Sequence, residues 1–252
     1  MAIYEKAFAE SLSYFGGDEL AASVFLSKYA LTTPDGEILE ETPTQMHRRL
    51  AKEFARIETK YPNPMSEDEI FAFFDGFSKI VPQGSPMAGI GNPYQNMSIS
   101  NCFVIPTPYD SYGGILLTDQ QQAQIMKRRG GVGFDISTIR PKGVGTANAA
   151  KTTDGIGIFM DRYSNTCREV AQGGRRGALM LSISVHHPEI ETFIHIKEDK
   201  SRVTGANISI RVTDEFMQAV KDDTDYELRF PVDSPFPEIT RMVNARGILD
   251  LS

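Results

Sequence analysis

Cysteine is scarce in this chain, with Cys102 and Cys167 the only two among 252 residues. Two thiols cannot build a disulfide scaffold or a zinc site made of thiolates alone, so any redox use of either must be argued individually. No run of about 18 apolar residues occurs, and the start Met1-Ala2-Ile3-Tyr4-Glu5-Lys6 lacks a signal-peptide core. Membrane insertion and export are therefore not indicated, and a cytoplasmic location is expected. Basic residues are outnumbered, 26 against 33 acidic, for a formal charge of −7. A phosphate backbone would be repelled by such a surface, which argues against general nucleic-acid binding and leaves room only for a local basic pocket.

What is present is the composition of an ordinary globular chain, 40% hydrophobic and 23% charged, enough for one large domain or two small ones. The pattern changes near residue 80. Before it, helical spacing places Tyr4, Phe8, Leu12 and Phe15 on one face, and Met46, Leu50, Phe54, Ile57 and Tyr61 on another. Thr42-Pro43 supplies a cap and a first-turn proline to the second of these, and Ser66 with Glu69 forms a capping box ahead of Ile70. Residues 1–80 are thus expected to form a helical domain, and residues 81–252 an α/β region.

In the α/β region, Cys102 to Pro106 reads as a short strand and Thr118 with Gln121 as the cap of a helix ending at Gly130-Gly131. Val132, Phe134 and Ile136 alternate as a strand, Ile156 to Val170 is helical, and Ala178 to Val185 has the apolar character of a strand buried on both faces. Pro188 opens a helix, Ala206 to Val212 alternates, Thr213 caps another helix, and Tyr226 to Val232 is a last strand. Strand, helix and strand in series predict a largely parallel sheet with function at the strand ends and their loops.

Two segments carry most of the chemistry. Cys102 opens an apolar run just after a loop rich in glycine and proline, and Gln172-Gly173-Gly174-Arg175-Arg176-Gly177 joins glycines to arginines that can approach an anion. Taken alone, Cys102 reads more readily as a small buried hydrophobe than as a redox residue, and the segment from Gly84 to Pro93 also reads as a turn, Asp110-Ser111 as a turn or helix cap with Arg140 a surface residue, and 172–177 as a helix C-cap. Gly130-Gly131-Val132-Gly133 lies between a helix and a strand, whereas a dinucleotide fingerprint needs strand first and helix second, which disfavours a nicotinamide dehydrogenase. His186-His187 lacks further ligands at a convincing spacing, so no metal is assigned.

The order of Ser85 to Gly91, Ser100-Asn101-Cys102-Phe103-Val104, Asp110-Ser111, Arg128 to Gly133, Ile139 to Gly143 and Gln172 to Gly177 resembles the N-terminal part of the ribonucleotide reductase catalytic subunit. That resemblance covers essentially the whole chain. It implies a helical N-terminal domain followed by the first half of a ten-stranded α/β barrel, and reduction of ribonucleotides, expected to be diphosphates, by radical chemistry with a cysteine pair. Cys102 matches the first reducing cysteine, which protonates the departing 2′-hydroxyl and then forms a disulfide exchanged by an external thiol, of thioredoxin or glutaredoxin. Cys167 matches no redox position and is read as helix packing.

By the same resemblance Ser85, Ser100, Asn101 and Gly131 lie at the substrate. Asp110, Ser111 and Arg140 match the site of a nucleotide effector, a dNTP or ATP. Lys142 is a candidate second cation there, and Gln172 and Arg176 belong to the loop that relays effector identity. The radical cysteine of the family lies in Asn-Pro-Cys-Gly-Glu, which these 252 residues do not contain. The chain is therefore expected to be a fragment of a split or truncated enzyme, inactive until a complementary half-barrel joins it, with the assembled subunit a dimer. No cofactor is expected on this chain itself; the resemblance implies a radical from a metal-containing small subunit, the source favoured here, or else from adenosylcobalamin. A nucleotide-binding module without chemistry is the alternative.

Overall fold

The computed structural model describes residues 2–170 and 177–251. Two compact units divide the chain, Met1–Asn101 and Cys102–Ser252, so the change of periodicity near residue 80 falls inside the first. That unit is helical: α1 Ala2–Tyr14, α2 Glu19–Lys28, α3 Pro43–Glu58, α4 Glu67–Phe74 and the short α5 Gly84–Gly89. Asp18, absent from the sequence reading, caps α2 by accepting from the Ala21 N–H at 2.9 Å. The expected cap at Thr42 and the expected box at Ser66 are found. Gln45 accepts from the Thr42 N–H, while Ser66 and Glu69 exchange bonds between backbone and side chain.

Two apolar clusters hold this unit. Ala7, Phe25, Leu26 and Met46 form one, and Leu50, Ala51, Ile70 and Phe74 the other. Glu40 and Arg49 form an ion pair whose side chains are almost fully buried, Nε donating to Oε1 at 2.7 Å. Arg49 also donates to the carbonyls of Met87 and Ile90, and Glu40 accepts from the Leu31 N–H. The pair thereby fixes the end of α5.

In the second unit the strands β1 Cys102–Val104, β2 Gly131–Asp135, β3 Leu179–Ser184 and β4 Asn207–Arg211 form one parallel sheet in chain order. The crossovers are α6 Tyr112–Met126, α7 Ile156–Glu169 and α8 Ile190–His195, and α9 Asp214–Asp222 follows β4. A helical region followed by sequentially ordered parallel strands is the architecture expected at the start of the barrel. Val132, Phe134, Leu179, Leu181 and Ile183 point to the helices and join a single core with Ile156, Met160, Tyr163 and Phe193.

Three expectations change. β3 is not buried on both faces: Met180 is 41% exposed, because among the described residues of the second unit the crossover helices pack on the face that carries Leu179, Leu181 and Ile183. The helix after β1 begins at Tyr112 rather than at Thr118, capped by Ser111, whose Oγ accepts from the Gly114 N–H at 3.1 Å. Gly114 in its first turn serves close packing, since a Cβ there would stand 2.5 Å from the Tyr109 carbonyl. Finally, the last strand, β5 Asp225–Phe230, pairs antiparallel with β6 Ile239–Asn244 in a separate ribbon and does not extend the parallel sheet. α10 Ala245–Leu251 completes the chain. No helix among the described residues is long and apolar enough to cross a membrane.

Candidate functional site

The first locus is the open face of the parallel sheet. Side chains alternate along a strand, so the residues opposite the helical layer share one surface. Cys102, the first residue of β1, is exposed and lies in register with Gly131 of β2. Val104, two residues on, is 91% exposed and pairs with Gly133. The absence of side chains at 131 and 133 leaves room beside the thiol. Farther across the face Asp135 accepts from Ser182 Oγ at 2.9 Å and from Arg211 Nε at 2.8 Å. Cys167 differs in every respect: it is buried in α7, where burial pushes its thiol pKa up. The two cysteines are therefore chemically distinct, one accessible and one a packing residue.

Of the residues expected at the substrate, Ser85, Ser100 and Asn101 belong to the first unit. Ser85 is fully buried, and its N–H donates to Asn101 Oδ1 at 2.9 Å. Ser100 is exposed, its N–H donating to Ser98 Oγ. Gly131 belongs to the second unit, beside Cys102.

The second locus brings three predicted residues together. Asp110, Ser111 and Arg140 line a cavity of about 420 Å³ with Tyr112, Thr146, Asn148, Thr153 and Phe159 among its other walls. Arg140 donates twice to Asp110, through its backbone N–H at 3.1 Å and through Nε at 2.7 Å, and its Nη1 donates to the Gly145 carbonyl. Thr138 Oγ1 donates to the Pro108 carbonyl, a further tie between the two walls. A carboxylate offers about four lone-pair sites, so Asp110 can still accept from a ligand hydroxyl. Ser111 lies at the N-terminus of α6, where backbone N–H groups and the helix dipole favour an anion. The pocket thus offers a cation, a carboxylate, hydroxyls, an amide and aromatic rings, the repertoire that suits a nucleotide.

Sequence reasoning missed Thr146, Asn148 and Thr153. Their signal was faint: Thr146-Ala147-Asn148 follows Gly143-Val144-Gly145 in a loop of small and polar residues with no motif of its own. The segment folds back on itself through the isolated bridge Gly145↔Thr152, with Asn148 Oδ1 accepting from Thr146 Oγ1 and the Ala150 N–H. Lys142 is not among the pocket-lining residues, and its N–H donates to Glu189 at 3.0 Å. Gln172 and Arg176 lie outside the described residues. His186 and His187 turn to different partners, His186 to Tyr226 and Glu227, His187 to Ile139 and Glu189. Among the described residues no group of three or more His, Cys, Asp or Glu is placed to hold a metal ion.

A helical unit followed in the chain by four parallel strands in sequential order, linked by crossover helices, defines the class as a helical domain joined to the opening part of an α/β domain. The ribonucleotide reductase all-alpha domain matches residues 15–109 and the ribonucleotide reductase barrel domain residues 100–246, and the chain belongs to the ribonucleotide reductase family as part of its large subunit. It is 30% identical over 241 residues to a vitamin B12-dependent ribonucleoside-diphosphate reductase of Mycobacterium tuberculosis, covering 90% of this chain and 34% of the relative. To the protein of the same description from Thermoplasma acidophilum it is 29% identical over 287 residues, covering 91% and 37%. The ribonucleoside-diphosphate reductase large subunit of monkeypox virus is 33% identical over 143 residues, covering 54% and 18%. The chain spans about a third of the length of the first two relatives.

Proposed function

We propose that this chain supplies the helical domain and first half-barrel of a ribonucleotide reductase catalytic subunit, with Cys102 as one member of its reducing pair. The observation that carries the reading is the exposed Cys102 thiol at the head of β1, beside the side-chain-free Gly131. In the reaction the C2′–OH bond of the ribose breaks and a C2′–H bond forms. The oxygen leaves as water with a proton from Cys102, and two thiols become one disulfide. An external dithiol of the thioredoxin or glutaredoxin type then restores the pair by exchange, for which exposure of the sulfur is required.

The substrate in this reading is a ribonucleoside diphosphate, as the names of the relatives indicate. Ser85, Ser100, Asn101 and Gly131 would bound it, Asn101 acting partly by fixing the backbone at Ser85. The second cysteine and the radical-bearing cysteine come from the remainder of the catalytic subunit, on the same or another polypeptide, and the assembled subunit works as a dimer. In this reading the radical is supplied by a partner or cofactor, as the family resemblance implies. Relatives covering about nine-tenths of the chain are named vitamin B12-dependent, which favours adenosylcobalamin over a metal-containing small subunit. Asp110, Ser111 and Arg140 would hold a nucleotide effector, and Lys142, Gln172 and Arg176 would act beside it.

The test is reduction of ribonucleoside diphosphates by this chain joined with the rest of the subunit, supplied with adenosylcobalamin and a dithiol. Activity that disappears in Cys102→Ser is the expected result. Because the 420 Å³ pocket is complete within the second unit, a second reading is a nucleotide-binding module without chemistry. Nucleotide binding without any reduction, under both radical systems, would favour it.

A further inference from the structure

The pocket segment 140–155 is long and exposed over much of its length; it folds back on itself through bonds such as Gly143 N–H to the Thr153 carbonyl and Thr153 N–H to the Val144 carbonyl, and a contact from elsewhere in the unit anchors the folded loop to the sheet. Glu189, in the turn between β3 and α8, reaches its base. One carboxylate oxygen, Oε2, accepts from the Lys142 N–H at 3.0 Å and from the Ile156 N–H at 3.0 Å. These two donors flank the segment, one just inside its start and the other just after its end. The first turn of α7 has no capping side chain of its own because its N-cap is Gly155, at φ 81. Glu189 takes over that role from a distant part of the chain, placing a carboxylate where the α7 dipole favours one.

Gly155 is what permits the approach. A Cβ at this position would stand 2.5 Å from both Glu189 oxygens, and its positive φ already disfavours any other residue. His187, two residues before Glu189, extends the tie: Nε2 bonds the Ile139 carbonyl at 2.9 Å while Nδ1 accepts from the Glu189 N–H at 3.1 Å. Residues 139, 142 and 156 are thereby all held from the end of β3. Neither Glu189 nor Gly155 lines the cavity.

We propose that Glu189 is a positioning residue for nucleotide binding: it closes the base of segment 140–155 and so holds Arg140, Thr146, Asn148 and Thr153 as walls of the pocket. The consequence for binding rests on the effector reading given above, whereas the closure itself rests only on the geometry. Substitution should therefore loosen one loop and weaken a ligand that Glu189 never touches.

The test compares the full chain with Glu189→Gln, Glu189→Ala and Gly155→Ala, by calorimetric titration with dTTP and dATP and by amide hydrogen exchange. Because both donors converge on one oxygen, glutamine keeps an uncharged acceptor and alanine keeps none. The expected result is a graded loss of affinity, about tenfold for Glu189→Ala and less for Glu189→Gln, the scale of losing a charge-assisted acceptor. Gly155→Ala, which displaces the carboxylate without removing it, should match Glu189→Ala. Exchange should quicken at Lys142 and Ile156 while the amides of β2 and β3 keep their protection. Unchanged affinity and unchanged exchange in Glu189→Ala would overturn the proposal, as would exchange that quickens equally throughout the sheet. If the unsubstituted chain binds neither nucleotide, the effector reading and its consequence for binding fail together, and exchange at residues 142 and 156 still decides whether Glu189 closes the loop.

Discussion

Arg140 grips Asp110 with both its main chain and its side chain, although the two lie 30 residues apart. The contact joins the loop after β1 to the loop after β2 and makes one wall of the pocket from two crossovers. Asp110→Ala should cost about 1 kcal/mol of stability, since both side chains remain partly exposed and solvent screens the charge pair. Its effect on dTTP binding should be larger than that cost suggests, because a pocket wall and a ligand acceptor disappear together. Urea unfolding and calorimetric titration of the same variant separate the two effects.

The cysteines should respond differently to alkylation. Iodoacetamide should modify Cys102 in the native chain and reach Cys167 only after unfolding, because a thiolate must form and be accessible, and burial opposes both at Cys167. Peptide mapping would read one labelled site without denaturant and two with it. Cys102→Ser should leave the unfolding curve nearly unchanged.

The second unit should weaken in mild acid through His187. Its ring is buried, and its Nδ1 accepts from the Glu189 N–H while Nε2 donates to the Ile139 carbonyl, leaving no place for a second proton. Burial lowers its pKa to about 4, against opposing effects of the Ile139 bond and the charges of Asp135 and Asp110. The unfolded ring titrates near 6.5, so the unfolded state binds more protons between these values and stability rises with pH across them. The full contribution is present above about pH 6.5 and lost as pH falls to about 4, amounting to about 3 kcal/mol. Unfolding free energies measured from pH 7 to 4.5 should flatten in His187→Gln.

In the first unit, the Glu40–Arg49 pair should be sensitive to the loss of one partner. Their side chains are 5% and 9% exposed, and each serves other backbone groups besides its partner. Glu40→Ala strands a buried guanidinium and is expected to cost about 3–5 kcal/mol. Replacing both residues with apolar ones of similar volume should cost less than the single change, which a double-mutant cycle in urea would show.

Local chemistry made most of the fold legible. Thr42, Ser66 and Thr213 cap helices where hydroxyl residues precede an amphipathic run, and Val132 and Phe134 alternate as a half-buried strand must. The helix after β1 was started too late, at Thr118, because the cap at Ser111 and the packing of Gly114 against Tyr109 depend on how the preceding loop folds. The ribbon of β5 and β6 was half missed because Pro231, Pro235 and Pro237 mark a loop without announcing the strand beyond it. Asp110, Ser111 and Arg140, named through resemblance, come together in one pocket. Glu189 was not legible, since its partners are backbone N–H groups, which every sequence has everywhere.

The strands of the parallel sheet lie in the order in which a ribosome delivers them. Each new strand therefore docks on an edge already built, and no loop longer than a single crossover has to close at any step, which keeps its entropic cost low. Assembly can advance during synthesis one strand at a time, each arrival covering the edge of the one before. Inserting a foreign segment within a crossover should delay that progression, while the same segment placed after α10 should leave it untouched.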